Sequence, residues 1–280
     1  MRTMTKKLLI AFLLLMVCTT NSNAQVKWDY QYEYSEGLAC VKKNHRYGFI
    51  DRNGKLVIPL NYSNAGNFSE GMAYVSEGGK YGFIDKTGKV VIPCRFSDAG
   101  SFHEGRTKIQ DDNRKWGYID KSGNIVVPCT WSSAGDFSDG VAHVETYVYS
   151  KCRQGCIDRN GKTLGGCLWP YVGEFKEGIV AVQDGSGMWG FMDKTGRIIT
   201  PCTWKRVKDF NEGMAVVTDS NGYKGYIDKT GKLVIPCKFN SAYSFDGGEA
   251  VVNFEDKDGS NKICNIDKTG KIVKVVNVVR

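Results

Sequence analysis

Histidine is nearly missing from this chain: His45, His103 and His143 are the only three in 280 residues. His45 lies ahead of a hairpin, His103 in a turn and His143 on a strand, and each reads as a solvated surface residue. No Gly-x-Ser-x-Gly elbow, His-Glu-x-x-His pair or phosphate-binding loop occurs, so the usual signatures of several hydrolase, zinc-protease and nucleotide-binding classes are wanting. No run of five or more basic residues is present, which leaves only a weak nucleic-acid footprint. No long segment carries the apolar period of a helix. After residue 17 no stretch is apolar enough to cross a membrane.

The first residues read as an address and not as structure. Arg2, Lys6 and Lys7 precede the apolar run Leu8 to Val17, and Ser22-Asn23-Ala24 supplies small residues at a cleavage site before Gln25. Residues 1–24 are therefore expected to be a removed secretory signal peptide, and the mature chain to be secreted or to reside in the periplasm or cell envelope. Acylation of Cys18 is the rival reading, disfavoured by Val17 where a small residue is preferred. Loss of the three leader cations lowers the net charge from +8 to +5, a mild excess.

What the chain has in abundance is repetition. Tyr81-Gly82-Phe83-Ile84-Asp85-Lys86-Thr87-Gly88-Lys89-Val90-Val91-Ile92-Pro93 recurs almost unchanged from Lys224 to Pro236, and the pattern begins again at Tyr47, Trp116, Gln154, Trp189 and Ile263. An Asp marks each of the seven copies, at 51, 85, 120, 158, 193, 228 and 267, with a Gly three residues on. A second Gly follows an acidic residue at 37, 71, 105, 140, 178 and 213, and recurs at 248. Trp116-Gly117-Tyr118-Ile119-Asp120 and Phe210-Asn211-Glu212-Gly213-Met214-Ala215 closely resemble the unit of the bacterial WG-repeat proteins. The resemblance spans essentially all of 26–280. It implies an exported β-repeat protein with no common activity. Repeats four and seven depart from the pattern: Gln154 and Ile263 replace the aromatic, and Cys264 replaces the Gly.

Each unit reads as three antiparallel strands, with room for a short fourth. In the second copy these are Met72–Val75, Tyr81–Ile84 and Lys89–Phe96, with Asp85-Lys86-Thr87-Gly88 closing the central hairpin. Pro93 limits pairing along the last strand. Strand alternation sets Val90, Ile92, Cys94 and Phe96 inward and Arg95 outward. The residues between the Ala and Val of the first strand (Cys40, Tyr74, Lys108, His143, Ala181, Val216, Val251) share no chemistry, as suits an exposed or inter-unit face.

The expected fold is all-β: seven tandem antiparallel repeats of about 35 residues over 25–280 as one domain. A closed propeller-like ring is favoured, because seven whole units fill the chain with no obvious polar cap. An open, twisted β-solenoid is the alternative.

Nine cysteines follow the leader, an odd number. Cys94, Cys129, Cys167, Cys202 and Cys237 share one repeat position with Leu60, so they read as buried thiols and not as a disulfide framework. Cys152 and Cys156 allow a local disulfide, and the state of Cys264 stays open. Asp256 to Ser260 faintly resembles a calcium loop but lacks the later Glu, and reads as a hairpin loop. The recurring carboxylates have turn duties. The aromatics that open the hairpins (Tyr47, Tyr81, Trp116, Trp189) and those that end the last strands (Tyr62, Phe96, Trp131, Trp169, Trp204, Phe239) suit packing between units, though aromatic rows also stack on sugars. The sequence thus points to a non-catalytic exported binding or scaffold module, with no catalytic, metal or cofactor residues and a protein or surface glycan as partner. A carbohydrate-active enzyme and a structural spacer are the alternatives.

Overall fold

A computed structural model describes residues 27–166, 168–256 and 259–279. The leader, Cys18 and Cys167 lie outside the described residues. Within them the chain is all-β. It forms seven antiparallel sheets in chain order, six of four strands and one of three. The second sheet is typical: Asn64–Ala65, Met72–Glu77, Lys80–Asp85 and Val90–Phe96 lie side by side in that order. The fourth strand expected as optional is thus real, a two-residue strand at one edge. The fourth sheet stops at three strands because only isolated bridges, Gln154 to Trp169 and Ile157 to Thr163, replace its last one.

The hairpin turn works as its sequence predicts. Asp85 Oδ1 accepts hydrogen bonds from the Thr87 N–H at 2.9 Å and the Lys89 N–H at 3.1 Å, and Gly88 takes a φ of 84° that a side chain would resist. The Gly that follows the opening aromatic has a separate duty. A Cβ on Gly82 would stand 2.4 Å from the Ile92 carbonyl oxygen and 2.6 Å from the Cys94 nitrogen. The last strand bulges around Pro93, skipping from the Phe83–Ile92 pair to the Tyr81–Phe96 pair, and the bulge presses its backbone onto the glycine. Ile92 and Phe96 are buried and Arg95 exposed, as expected, but Val90 is exposed, because a separate extra residue, Val91, lies between the Phe83–Ile92 and Ile84–Val90 pairs.

Sheets bury their faces against one another. Six apolar clusters join consecutive sheets, first to second through sixth to seventh. At five junctions a ring from one unit meets the Phe of the next: Phe49–Phe68, Phe83–Phe102, Tyr118–Phe137, Phe191–Phe210 and Tyr226–Phe245, with centroids 4.8–5.0 Å apart. Such a pair is worth about 0.5–1.5 kcal/mol beyond the area it buries. No cluster of the described residues joins the seventh sheet to the first. Ala39, Val41 and Ile50 of the first sheet pack instead with Trp28 and Leu60. In the seventh sheet, Asn265 and Lys274 occupy the places held by Phe49 and Ile58 in the first, so a polar outer face is written there after all. Ring and open array share this architecture of stacked four-stranded sheets.

A polar ladder runs beside the apolar seam. Glu36, Glu70, Glu104, Glu177 and Glu212 each accept a hydrogen bond from the turn Gly N–H of the next unit and pair with a cation in that unit's hairpin turn. For Glu70 these are Gly105 at 2.9 Å and Lys121 at 3.1 Å. The five glutamates hold φ values of 51–53°, a left-handed conformation that costs about 1 kcal/mol for an L-residue, which the capping bonds help to offset.

Two outcomes follow. Gly82→Ala should destabilise the chain by about 1–3 kcal/mol in denaturant unfolding, whereas Gly185→Ala, at a glycine with nothing within 4 Å, should be near neutral; equal effects would refute the close-approach account. Lys86, Arg159 and Lys229 hold Glu36, Glu104 and Glu177 below the ordinary glutamate value of 4.5 by hydrogen bonding. Burial pushes Glu70 up, and the Gly105 N–H and Lys121 outweigh it. Groups with depressed folded values lend stability above about pH 4.5 that is lost as the pH falls through their folded values. The melting temperature should therefore drop below that pH, and drop less steeply in Glu36→Gln/Glu104→Gln; parallel curves would sink the ladder.

Candidate functional site

The seam of paired rings has one gap. Cys156 stands where the other junctions carry Phe or Tyr, opposite Phe175. Phe68, Phe102, Phe137, Phe210 and Phe245 are all buried, but Phe175 is only partly so. A thiol is far smaller than an aromatic ring, and a packed surround relaxes only partly to fill such a difference. The space appears as a cleft of about 660 Å³ between the fourth and fifth sheets, lined by Cys156, Phe175, His143, Gln154, Asp136 and Tyr171 among others. A second cleft of about 680 Å³ lies between the fifth and sixth sheets. The two share Tyr171, Gly173 and Glu174, so they adjoin along one edge.

This edge carries the short first strands, Ser133–Ala134, Tyr171–Val172 and Arg206–Val207. They set side chains that the repeat does not hold constant. Tyr171, 45% exposed, meets Trp189 edge to face at 5.4 Å and forms an aromatic wall. Lys176, Lys208, Asp209 and Asn211 line the second cleft. Lys208 Nζ lies 4.8 Å from the Tyr243 ring centroid and 3.2 Å from the Ala242 carbonyl oxygen. In the first cleft, Asp136 accepts Lys108 at 3.2 Å, and His103 Nε2 stands 3.6 Å from it. Glu174, its side chain 84% exposed, pairs with Lys176 at 3.2 Å. A carboxylic acid kept for proton donation needs a dry, apolar surround, and neither carboxylate is placed in one.

The structure redistributes the residues singled out by sequence. His45 is exposed, at a φ of 61° in the turn it shares with Asn44. His143 is not the solvated residue expected: it is half-buried on the cleft wall, and burial pushes its pKa down. The variable strand positions of the first six units face the next unit, from buried Cys40, Ala181 and Val216 to half-buried Tyr74 and Lys108, whereas Val251 of the seventh is exposed. Of the hairpin-opening aromatics, Trp189 lines a cleft and Tyr47 a third, smaller one, so they pack only in part. The strand-ending set packs inward, with Phe96 and Phe239 buried and Tyr62, Trp131, Trp169 and Trp204 half-buried. The Asp256 carbonyl accepts the Gly259 N–H at 2.9 Å, and its own N–H donates to the Ser260 carbonyl. Among the described residues no three His, Cys, Asp or Glu gather as a metal-ligand set, and no helix is long and apolar enough to cross a membrane. Tyr171, Glu174 and Lys208 were missed by sequence reasoning, although Cys156 in place of an aromatic was a visible sign of space beside them.

The cysteines divide by burial. Cys40, Cys94, Cys129, Cys152, Cys156, Cys237 and Cys264 are thiols. Cys152 and Cys156 do not form the local disulfide that their spacing allows. Burial pushes Cys40 and Cys156 up to about 12, so neither supplies thiolate at neutral pH.

The WG containing repeat model matches residues 47–81, 81–114, 116–146, 155–186, 189–223 and 225–257. No curated protein matches the sequence. Among solved structures, BamB from Moraxella catarrhalis is 12% identical, with 90% of this chain and 89% of that one covered and a TM-score of 0.36. The WD40 β-propeller domain of Doa1 is 10% identical over 81% and 90%, at 0.34. The extracellular domain of a hybrid two component system from B. thetaiotaomicron is 9% identical over 93% and 54%, at 0.31. Scores this low leave the arrangement of the units to the chain's own contacts.

In a native-state maleimide time course read by mass spectrometry, the partly exposed Cys94, Cys129, Cys152 and Cys237 should label first and Cys40 and Cys156 only on unfolding; rapid native labelling of Cys156 would contradict its burial.

Proposed function

The chain belongs to the family built from WG-containing repeats, and on that footing we propose that it is a non-catalytic, exported binding module whose ligand lies in the paired clefts between the fourth, fifth and sixth units. One observation carries the reading: the ring pair that seals the other junctions is absent at Cys156, and the space adjoins an aromatic wall rimmed by charged and amide side chains. A glycan suits these walls best. The exposed faces of Tyr171 and Trp189 offer stacking surface, while Lys176, Lys208, Asp209 and Asn211 offer donors and acceptors for hydroxyl groups. A protein segment is the second reading, supported by the adjoining of the two clefts along Tyr171, Gly173 and Glu174.

Catalysis is a weaker fit. Of the cleft carboxylates, Asp136, Asp139 and Glu174 are engaged by Lys108, Lys194 and Lys176, and Asp209 is exposed, which suits recognition more than proton transfer. A spacer role would leave the gap at Cys156 without a use. Export, on this reading, follows from the leader at 1–24, and the mature chain works in the periplasm, on the envelope or outside the cell.

The test is a glycan panel followed by tryptophan fluorescence and calorimetry. Binding should quench Trp189. Tyr171→Ala and Trp189→Ala should each weaken it about tenfold, the loss of one stacking contact of roughly 1–1.5 kcal/mol. Cys156→Phe should refill the seam and reduce binding while the fold is kept. A panel that binds nothing, or binding indifferent to all three changes, would remove the cleft as the site; turnover of any bound glycan would convert the reading to the enzymatic alternative.

A further inference from the structure

Five of the seven units guard the outer edge of the last strand with proline: Pro59, Pro93, Pro128, Pro201 and Pro236. Each stands eight residues after the turn Asp. Proline has no N–H to offer a neighbour, and the bulge it sits in twists the edge away, which blocks pairing between molecules. The terminal strand Ile272–Val279 carries Val275 at that place. The glycine that faces the proline bulge elsewhere is Cys264 here, so the two departures occur together. The consequence is a longer ladder. The third and fourth strands of the second sheet share three aligned pairs across a two-residue bulge, while Asn261–Asp267 and Ile272–Val279 share six, with single extra residues at Val276 and Val273. Val273, Val275 and Val276 are 53%, 50% and 55% exposed, and among the described residues no strand pairs with the outer side of this one.

We propose that Ile272–Val279 is a self-association edge that pairs antiparallel with the same strand of a second copy of this chain. The order of residues selects a second copy over a foreign strand. It reads apolar, apolar, Lys274, apolar, apolar, Asn277, apolar, apolar, a pattern that is symmetric about the point between Val275 and Val276. A two-fold axis there sets Val275 across from Val276 of the partner subunit and Lys274 across from Asn277 of the partner subunit. No lysine faces a lysine, which a like-charge pair would penalise. An isologous contact requires such self-complementarity, and a strand evolved for another protein does not. Main-chain hydrogen bonds supply the affinity and the apolar pairs close over them.

Sedimentation equilibrium on the full chain tests this. The unaltered protein should form a concentration-dependent dimer. Val275→Pro restores the residue that five sister units carry, and should give a monomer with unchanged far-ultraviolet circular dichroism. A register test keeps the proposal falsifiable if that variant folds poorly. Lys274→Glu with Asn277→Lys sets opposite charges across the axis twice, and should tighten the dimer several-fold. Lys274→Glu with Asn277→Glu sets acid against acid, and should loosen it by a similar factor. A monomeric unaltered protein, or a dimer that responds equally to both double variants, would overturn the proposal.

Discussion

Each unit of this chain depends on its neighbour for a core. A four-stranded sheet of about 35 residues has two faces to bury and no layer of its own to bury them against. The ring of one unit resting on the Phe of the next, as in Phe83 on Phe102, supplies that layer. The rest of the structure serves this contact. Gly82 lets the bulged last strand come close, Asp85 holds the hairpin turn, and Glu70 reaches across to cap the following unit's turn.

The same dependence explains where binding chemistry can arise. Where two rings meet, the inner part of the junction is filled and changes cost core packing, so the second cleft opens beside the Phe191–Phe210 pair and not between its rings. The junction at Cys156 has lost one ring, and the space passes to the edge where short strands carry residues the repeat does not hold constant. Tyr171 and Glu174 line both clefts because the short strand Tyr171–Val172 and the residues just after it lie between the two junctions. The site therefore combines repeat residues, Trp189 and Phe175, with side chains such as Tyr171, Glu174 and Lys208 at positions whose chemistry is free to vary.

Much of this was legible in the chain. The strand order within a unit, the turn role of Asp85 and its equivalents, and the inward aromatics of Phe96 and Phe239 all follow from local rules of alternation and turn chemistry. Val90 broke the alternation because the extra residue Val91, between the Phe83–Ile92 and Ile84–Val90 pairs, shifts the register in a way that no two-residue period anticipates. His143 was misread because its surroundings come from another unit, about 30 residues away in sequence at Val172 and Phe175. The polar outer face of the seventh sheet was present in Asn265 and Lys274, but alignment on the turn motif alone did not draw attention to it.

Sequence by itself determined the family, the number of units and the hydrogen-bonding role of each turn residue, because these depend on neighbours within one repeat. Tertiary structure decided which faces meet, where the seam fails and which edge is left open. Those outcomes depend on residues distant in sequence: a thiol matters at Cys156 only because Phe175 lies opposite, and a valine at Val275 only because it pairs with Cys264 where the sister sheets set a proline bulge against glycine.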